Sequence, residues 1–440
     1  MTLPLRWTTL RPHPEQQRLW TSAARFRVVP AGRRSGKTEL AKRFLVMRAM
    51  RGSQWFPPRF FAAAPTRDQA KRIYWEDLKH LVPPSLIACR PSETELTIEL
   101  VNGSQLVVVG MDKPERVEGT PWDGGVLDEV ANMKERAWSA HIRPALSDRQ
   151  GWCWFIGVPE GRNHYHKLYQ KARADTSGEW AAFTWPSADI LPPEEVDAAR
   201  RDLDELTFQQ EYEASFVSFE GRAYYPFTEG LHCAAGLAAR YDPRQPLILC
   251  FDFNVAPGVA AVCQELPLPG GQAGTAVVGE VHIPRNSNTP AVCRRLIQDW
   301  SKHQGRVMVY GDATGGARGT AKVAGSDWDL VRETLRPAFG ERLFFKVPAA
   351  NPPERARVNA LNTRLKNAAG DVRLMVDPAA APHVVQDLEG VRTLAGGSGE
   401  IDKKADPELT HVSDALGYYI AAEFPTIKRE TTVHSLNMTR

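Results

Sequence analysis

The sequence predicts an α/β fold with two domains, the first of them built on a mostly parallel sheet. Three observations carry this prediction. A strand, a glycine-containing turn and a helix follow one another in RFRVVPAGRRSGKTELAKRF, residues 25–44. Further apolar strands alternate with helical segments through the rest of the first half, an arrangement typical of a parallel sheet. A second set of apolar strands begins at Leu247, after a polar stretch punctuated by Gly and Pro.

The composition is that of an ordinary globular protein, and it excludes several classes. The chain has 440 residues, enough for two domains. Its net charge of +3 is too small to identify a nucleic-acid binder, so any basic track must be local. The six cysteines contain no CxxC pair, which argues against a zinc module or a disulfide framework and predicts buried thiols in a reducing cytosol. No apolar run approaches the roughly 20 residues that span a bilayer, so we expect a soluble, cytoplasmic protein.

The first turn matches the GxxxxGK[ST] pattern of phosphate-binding loops except at its first position, where Ala31 replaces Gly. Such a loop directs backbone N–H groups and a helix dipole at a phosphate chain. Lys37 is then expected to contact the β- and γ-phosphates of ATP, and Thr38 to ligate Mg²⁺. The alternative, a basic surface turn, is disfavoured because GKT opens a helix directly after a strand. The residues predicted to bind the nucleotide are Gln16, Gly32, Arg33, Arg34, Ser35, Gly36, Lys37, Thr38 and Asp128.

Two polar features beside the loop add to this predicted site. Gln16 and Gln17 precede the first strand, and a glutamine amide can donate to and accept from the edge of adenine. A solvated helix start explains these two residues nearly as well. Arg33 and Arg34 place two guanidinium groups in the loop, where they repel each other unless they meet an anion. Arg33 is the predicted sensor of the γ-phosphate.

A later strand ends in Asp128-Glu129 and supplies the carboxylates of a nucleotide-hydrolysing site. Asp128 is predicted to hold Mg²⁺ through water, and Glu129 to polarise the attacking water. An isolated Asp-Glu pair is more often a helix start, but the phosphate loop favours the catalytic interpretation. Val158 follows the next strand, where a hydroxyl would connect nucleotide state to DNA grip. Three arginines are candidates for a finger offered to a neighbouring subunit: Arg116, Arg143 and Arg149.

The domain boundary is predicted between residues 218 and 219, so that the domains are 1–218 and 219–440. In the second domain Asp252 and Asp312 follow apolar strands and Asp414 opens an apolar helix. A carboxylate in a strand made for burial is costly unless it is paired or bound to a metal. The three acids together match a two-metal phosphodiester site, in which the ions lie about 4 Å apart. A turn cap at Asp312 and a helix cap at Asp414 are the alternatives.

The second domain contains two groups of basic residues, one predicted to contact DNA and one expected to be solvated. Arg318 and Lys322 lie in a glycine-rich loop after Asp312 and are predicted to contact the DNA backbone, an ordinary flexible loop being the alternative. Ser326 and Asp329 form a predicted capping box at the next helix. A later helix is predicted to start at Pro352-Pro353. Its basic residues are expected to be solvated: Arg355, Arg357, Arg364 and Lys366.

The chain resembles the large terminase subunit of tailed bacteriophages, the motor that packs DNA into procapsids, over nearly all of its length. The resemblance rests on GRRSGKT, APTRDQA, VLDEVANM, VPEGRNHYHKLY and QEYEASF, and on the order FDFN, YGDATGG, THVSDALGYY. Two positions depart from the family. Ala31 replaces a glycine in the phosphate loop, and Val158 stands where the family usually carries a threonine.

The resemblance implies a P-loop ATPase of the additional-strand (ASCE) type joined to an RNase H-like nuclease. Lys37, Thr38, Asp128 and Glu129 would hydrolyse ATP with Arg33 as sensor. Asp252, Asp312 and Asp414 would bind Mg²⁺ or Mn²⁺ and cut concatemeric viral DNA.

The partners that the resemblance implies are double-stranded viral DNA, the portal protein and the small terminase subunit. It also implies a ring of copies on the procapsid, monomers in solution, and action in the host cytoplasm without a membrane. Two rival functions are an ATP-dependent repair or helicase-type nuclease, and a second domain that only grips DNA or docks on the portal.

Overall fold

A computed structural model of the chain describes Trp7 and residues 12–253, 257–316, 326–394, 399–406 and 409–426. These residues form two compact units. The first contains the residues up to Val196 together with Gln209–Val217, and the second contains Asp197–Phe208 and the residues from Ser218. Each unit has its own sheet with helices packed on it, which confirms the predicted α/β class. Among the described residues no helix combines the length and apolarity that a bilayer crossing requires.

The first unit is built on a sheet of short strands. They are β1 (Phe26–Pro30), β2 (Arg59–Ala64), β3 (Thr97–Glu99), β4 (Gln105–Gly110), β5 (Gly124–Asp128), β6 (Trp152–Gly157) and β7 (Trp180–Ala182). Their order is β3-β4-β2-β5-β6-β1-β7. All neighbours are parallel except β3 and β4, which form a hairpin around Asn102-Gly103. The carboxyl ends of the parallel strands therefore share one edge, where open α/β sheets place ligands.

Helices cover both faces of this sheet. They are α1 (Pro14–Thr21), α2 (Lys37–Arg51), α3 (Arg67–Ala70), α4 (Glu76–Leu81), α5 (Arg143–Ala145) and α6 (His164–Ala174). A π-helical turn, Lys71–Trp75, joins α3 to α4 without a break, and a second one, Ala137–Ile142, leads into α5. Lys71 and Arg72 of the first of these turns are exposed. Two further helices, α7 (Pro193–Asp202) and α8 (Glu205–Glu211), contribute residues to both units.

The second unit has a mixed sheet in the order β12-β11-β8-β9-β10-β13, made of β8 (Leu247–Asp252), β9 (Gly258–Pro267), β10 (Ala273–Ile283), β11 (Val307–Gly311), β12 (Leu343–Phe345) and β13 (Leu374–Val376). β8, β9 and β10 are antiparallel neighbours, whereas β11 runs parallel to β8 and β12 parallel to β11. β8 and β11 therefore end at the same edge. β8 and β9, which are consecutive along the chain, pair as a hairpin.

The helices of the second unit are α9 (Glu229–His232), α10 (Thr289–Trp300), α11 (Asp327–Phe339), α12 (Glu354–Leu365), α13 (Pro382–Gly390) and α14 (His411–Glu423). The predicted capping box of Ser326 and Asp329 opens α11. α14 lies against β8, β9 and β11, and it also contacts α12. Short 3₁₀ turns complete both units: Pro84–Leu86, Pro114–Val117, Val130–Asn132, Ser187–Asp189, Leu237–Arg240, Ala313–Gly316 and Gly340–Arg342.

Two predictions about burial are wrong. Arg357 and Arg364 of α12 are buried and paired with carboxylates, because α12 packs against α14 and β13 and so turns these side chains inward. Lys366 is exposed, as expected. The expectation of six buried thiols also fails, since Cys89 is exposed in an irregular connection before β3 and Cys233 is half-buried.

Candidate active sites

The phosphate loop joins the carboxyl end of β1 to α2. Gly36, the residue before the helix, has a left-handed backbone with φ of 76°, a conformation that favours glycine. Arg34 is also left-handed, with φ of 54°. Lys37 is buried, and its Nζ donates to the carbonyl of Gly32 at 3.3 Å. The lysine thus folds back over the loop, as a phosphate-contacting lysine must.

The start of the loop is held by two other segments of the first unit. The backbone N–H of Ala31 donates to Gly157 at 3.0 Å, and that of Gly32 donates to Trp185 at 3.0 Å. A Cβ on Gly32 would lie 2.4 Å from the nitrogen of Ser187 and 2.7 Å from the carbonyl oxygen of Tyr212. Glycine is therefore required at position 32 by packing, whereas Ala31 fits the position where the pattern has a glycine.

The two loop arginines have different environments. Arg33 faces Glu211, with its guanidinium 3.7 Å from the carboxylate, and its backbone N–H donates to the Glu211 carbonyl at 2.6 Å. The hydroxyl of Ser187 donates to the carbonyl of Arg33 at 2.7 Å. Arg34 is exposed. The repulsion expected between the arginines is thus relieved because one pairs with a carboxylate and the other points to water.

Gln16 lies against the loop from α1. It is fully buried, and its Nε2 donates to the carbonyl of Ser35 at 3.1 Å, whereas its Oε1 has no hydrogen-bond partner among the residues that the structure describes. The indole of Trp185 donates to the same carbonyl at 3.0 Å. Gln17, the other glutamine considered, is exposed and donates to Pro12. The structure therefore brings Gln16, and not Gln17, to the loop.

Asp128 ends β5 directly opposite the start of α2. Its Oδ2 accepts from the Thr38 hydroxyl at 2.9 Å and from the Tyr74 hydroxyl at 2.9 Å, and its Oδ1 accepts from the backbone N–H of Glu129 at 2.9 Å. Burial raises the pKa of Asp128, and the charge of Lys37 together with these hydrogen bonds opposes the shift. Lys37, Thr38 and Asp128 thus meet as predicted.

Glu129 follows in a left-handed conformation with φ of 56°, which is uncommon for a residue other than glycine and is typical of functional turns. Gly157 lies under this turn, and a Cβ on Gly157 would lie only 3.3 Å from the Glu129 Cα. The turn carries the Glu129 side chain away from the buried strand, and the residue is partly exposed. Val158 is buried.

The three candidate arginine fingers lie at different places. Arg149 is buried in an ion pair with Asp123 at 2.6 Å, just before the amino end of β5. Arg143 stacks on Phe26, the first residue of β1, with its guanidinium carbon 5.2 Å from the ring centre. Both therefore lie toward the edge opposite the phosphate loop. Arg116 is exposed in the connection that leaves the carboxyl end of β4.

The three acids of the second unit converge around Tyr418 of α14. Asp252 ends β8, Asp312 directly follows the parallel strand β11, and Asp414 lies in the first turn of α14. Burial raises the pKa of Tyr418, and the negative charges of Asp312, Asp252 and Asp414 raise it further. Asp252 also lies 3.6 Å from Nδ1 of His411. The fold therefore brings together the acids that the sequence selected.

Asp414 is compensated by two cations. Its Oδ1 accepts from Arg357 at 2.8 Å, and its Oδ2 accepts from Lys403 at 3.1 Å. Burial raises the pKa of Asp414 and the negative charge of Asp252 adds to this, while Arg357 and Lys403 oppose it. Gly417, one turn later, leaves room for the arginine stem, because a Cβ there would lie 2.8 Å from the Arg357 Cγ.

Asp312 is fixed by an amide. Its Oδ1 accepts from Asn351 Nδ2 at 2.6 Å and from the backbone N–H of Thr314 at 2.7 Å. The Asn351 oxygen accepts in turn from the backbone N–H of Ala313 at 2.8 Å. In the described part of the chain, no three or more His, Cys, Asp or Glu side chains form a ready-made metal-binding group. The carboxylates nevertheless are the oxygen donors that Mg²⁺ and Mn²⁺ prefer.

Four contributors to these sites were not found from the sequence: Tyr74, Asn351, Arg357 and Lys403. Each acts through a partner that lies elsewhere along the chain, so no local spacing marks it. The sequence pattern predicts Arg357 only as a solvated helix residue. The predicted DNA contacts Arg318 and Lys322 lie outside the described residues.

The fold and the first site define a class, the P-loop nucleotide-binding proteins, here with a second α/β unit that carries an acidic cluster. Comparison with known proteins narrows this class. Residues 29–230 match the family described as "Terminase large subunit, T4likevirus-type, N-terminal". This match covers just under half of the chain, and it agrees with the resemblance to large terminase subunits that the sequence shows.

Curated relatives and solved structures agree with this assignment. The chain is 29% identical to the terminase large subunit of Thermus phage G20c over 250 residues, 49% of this chain and 50% of the relative. It is 29% identical to that of Escherichia phage T5 over 163 residues, 35% of this chain and 36% of the relative. The chain thus spans about half the length of the curated relatives it matches, or less.

One structural likeness extends over almost the whole chain. The large terminase from a thermophilic bacteriophage aligns with 93% of this chain and 99% of its own, with a TM-score of 0.57 at 18% identity. The same phage protein has also been solved in complex with ATP-γ-S. At this identity the likeness establishes a shared fold for both units.

Proposed function

We propose that this protein is the large subunit of a phage terminase, which uses ATP to package double-stranded viral DNA into procapsids and cuts concatemeric DNA with a metal-dependent endonuclease. The observation that carries the proposal is the meeting of Lys37, Thr38 and Asp128 at the carboxyl edge of a parallel sheet. That arrangement is the one that phosphate-loop ATPases use.

In the ATPase reaction each residue of the first site has a separate task. Lys37 neutralises the β- and γ-phosphates. Thr38 and Asp128 would hold Mg²⁺, which when bound would supply positive charge to the transferred phosphoryl group. Glu129, raised on its left-handed turn, polarises the attacking water. Gln16 offers its buried Oε1, which has no partner within the described part of the chain, to the amino group of adenine.

Two arginines are proposed to act on the γ-phosphate, Arg33 within the same subunit and Arg116 from a neighbouring subunit. Arg33 senses it by exchanging its ion pair with Glu211 for the phosphate. Arg116 is the best candidate for a finger offered to the next subunit of a ring. It is exposed and leaves from the same edge of the sheet as the phosphate loop, whereas Arg143 and Arg149 are engaged toward the opposite edge.

The second unit is the proposed nuclease. Asp252, Asp312 and Asp414 would hold Mg²⁺ or Mn²⁺, which supplies the activated water and stabilises the leaving oxygen of a phosphodiester. Asn351 holds one oxygen of Asp312, so its other oxygen can face a ligand. Arg357 keeps Asp414 charged in its buried position. We assign ATPase activity to residues 1–218 and cleavage to residues 219–440.

The proposed partners follow from this function. They are double-stranded viral DNA, the portal protein, the small terminase subunit and further copies of this chain in a ring on the procapsid. The subunit is monomeric before it docks, and it acts in the cytoplasm of the infected cell. Arg318 and Lys322 are proposed to contact the DNA backbone.

The test separates the two activities. Wild-type protein is expected to hydrolyse ATP and to nick plasmid DNA with Mg²⁺ or Mn²⁺. Lys37→Ala should abolish ATP hydrolysis and leave nicking intact, and Asp252→Ala should do the reverse. Lys71→Ala, which removes an exposed lysine that neither site uses, is the matched control. If the wild type hydrolyses ATP but never cuts, the second unit grips DNA or docks on the portal instead.

A further inference from the structure

Tyr74 is a buried residue of the first unit, and its hydroxyl reaches the proposed ATPase site. It donates to Oδ2 of Asp128 at 2.9 Å, and the side chain has no exposed surface. The same oxygen accepts from Thr38. We propose that Tyr74 is the positioning residue for the Mg²⁺-holding carboxylate, an assignment that rests on the proposed ATPase function.

The burial of Asp128 creates a need for hydrogen-bond donors. A carboxylate that is 1% exposed has lost its water and is destabilised unless donors replace it. Two hydroxyls and one backbone N–H are the donors that the structure supplies. Thr38 is itself expected to turn its oxygen to the ion, so Tyr74 is the side-chain donor that remains dedicated to the carboxylate.

The helical segment that carries Tyr74 is fixed at both ends. The helix starts at a capping box between Thr66 and Gln69, and the backbone N–H of Arg67 donates to Asp112 at 3.1 Å. Tyr74 then lies in the π-helical turn, a feature that often occurs at functional positions. Beyond it, Asp77 forms an ion pair with Lys42 of α2 at 2.5 Å.

These contacts fix both ends of the segment that holds the tyrosine. One end is attached to the sheet edge, and the other is attached to the helix that follows the phosphate loop. Such support is what holds a site residue within the small tolerance that metal coordination demands. The hydroxyl therefore fixes the carboxylate in the orientation that accepts Mg²⁺ beside Thr38.

The chain offers a matched control in Tyr165. It is also fully buried in the first unit, but its hydroxyl donates to the carbonyl of Phe155 at 3.1 Å and not to Asp128. Tyr74→Phe and Tyr165→Phe thus each remove one buried hydroxyl and retain the ring. A general loss of stability would affect both variants alike, whereas a positioning role belongs to Tyr74.

The experiment measures the dissociation constant of a fluorescent ATP analogue with Mg²⁺ and with EDTA, using the full chain. Wild type and Tyr165→Phe should show the same tightening on addition of Mg²⁺. Tyr74→Phe should bind equally in EDTA but lose about 10- to 100-fold of the Mg²⁺-dependent tightening, the value of a hydrogen bond to a charged group. In an Asp128→Asn background, Tyr74→Phe should cause no further loss, because the two groups act as one unit.

Several results would overturn the assignment. Unchanged Mg²⁺ dependence in Tyr74→Phe would show that the hydroxyl only satisfies packing, as would an equal loss in Tyr165→Phe. A full additional loss in the Asp128→Asn background would show that Tyr74 acts elsewhere. If the wild type binds no nucleotide under either condition, the proposed ATPase function fails, and this outcome is distinct because it does not depend on the variants.

Discussion

Asp128 in the first unit and Asp414 in the second are both buried carboxylates whose pKa is raised by burial, but the groups that hydrogen-bond to them differ. Asp128 receives hydrogen bonds from two hydroxyls and a backbone N–H. Asp414 is paired with the cations of Arg357 and Lys403. The charge of Lys37 also favours the ionised form of Asp128, but the hydrogen-bond donors of Asp128 are neutral and leave its charge available to an ion. The two cations that contact Asp414 instead cancel its charge directly.

This difference determines which existing contacts each carboxylate must give up when a metal ion binds. At Asp128 the nearby Thr38 hydroxyl can stay while Mg²⁺ arrives. At Asp414 an incoming ion competes with an ammonium group that already contacts Oδ2. The charge of Asp414 is therefore balanced by side chains of the protein itself. We expect the stability of the second unit to depend more strongly on Asp414 than the stability of the first unit depends on Asp128.

The largest expected effect is a loss of ATPase activity at Asp128 that leaves protein stability unchanged. Asp128→Asn should lower kcat for ATP hydrolysis by about 10²–10³, the loss typical of one preorganised electrostatic group. The melting temperature should not fall, because the hydroxyls of Thr38 and Tyr74 can accept from an amide and a buried charge is removed. Steady-state ATPase assays and thermal unfolding check this. A variant that unfolds early would contradict the comparison.

The second effect concerns stability at the other acid. Asp414→Asn should lower the free energy of unfolding of the second unit by about 3–5 kcal/mol, because it leaves the guanidinium of Arg357 buried without its anion. Denaturant unfolding provides the measurement. The double variant Asp414→Asn, Arg357→Met should lose much less than the sum of the single losses. Additive losses would mean that the pair is not the source of the effect.

A third prediction concerns how the free energy of unfolding changes with pH as the Asp387 carboxyl titrates. Burial raises its pKa to about 6, although its Oδ2 accepts from the backbone N–H groups of Val412 and Ser413 at the start of α14. Since the folded pKa lies above the usual value of 3.8, the stability that protonation contributes is complete below about pH 4 and is lost as pH rises through 6.

The size of this loss is at most about 3 kcal/mol between pH 4 and 7. Asp387→Asn should remove that part of the pH dependence, and unfolding free energies of wild type and variant at both pH values provide the measurement. A parallel pH dependence of the two proteins would show that Asp387 is not the titrating group.

The smallest effect is expected at Lys403. Its side chain is 51% exposed, so Lys403→Met should cost no more than about 1 kcal/mol, far less than the loss of the buried partner Arg357. The difference from wild type should shrink further in high salt. Lys404→Met is the matched control. A loss as large as that of Arg357→Met would erase the distinction between the two cations.

The polar residues at the strand ends of each site could be expected from the sequence, since apolar runs that end in polar residues are visible locally. They are GKT in the turn and helix after β1, Asp128-Glu129 at the end of β5, Asp252 at the end of β8 and Asp312 after β11. The order of the strands, and the shared edge at which these ends meet in each unit, came from the structure.

What the sequence determined by itself are the groups whose chemistry is tied to a local pattern: the phosphate loop, the strand-end carboxylates and the helix that begins before Asp414. What only tertiary structure decided is how those groups are compensated. Tyr74, Asn351, Arg357 and Glu211 meet their partners across long stretches of chain. Their roles depend on packing and charge in three dimensions, which no short window of sequence contains.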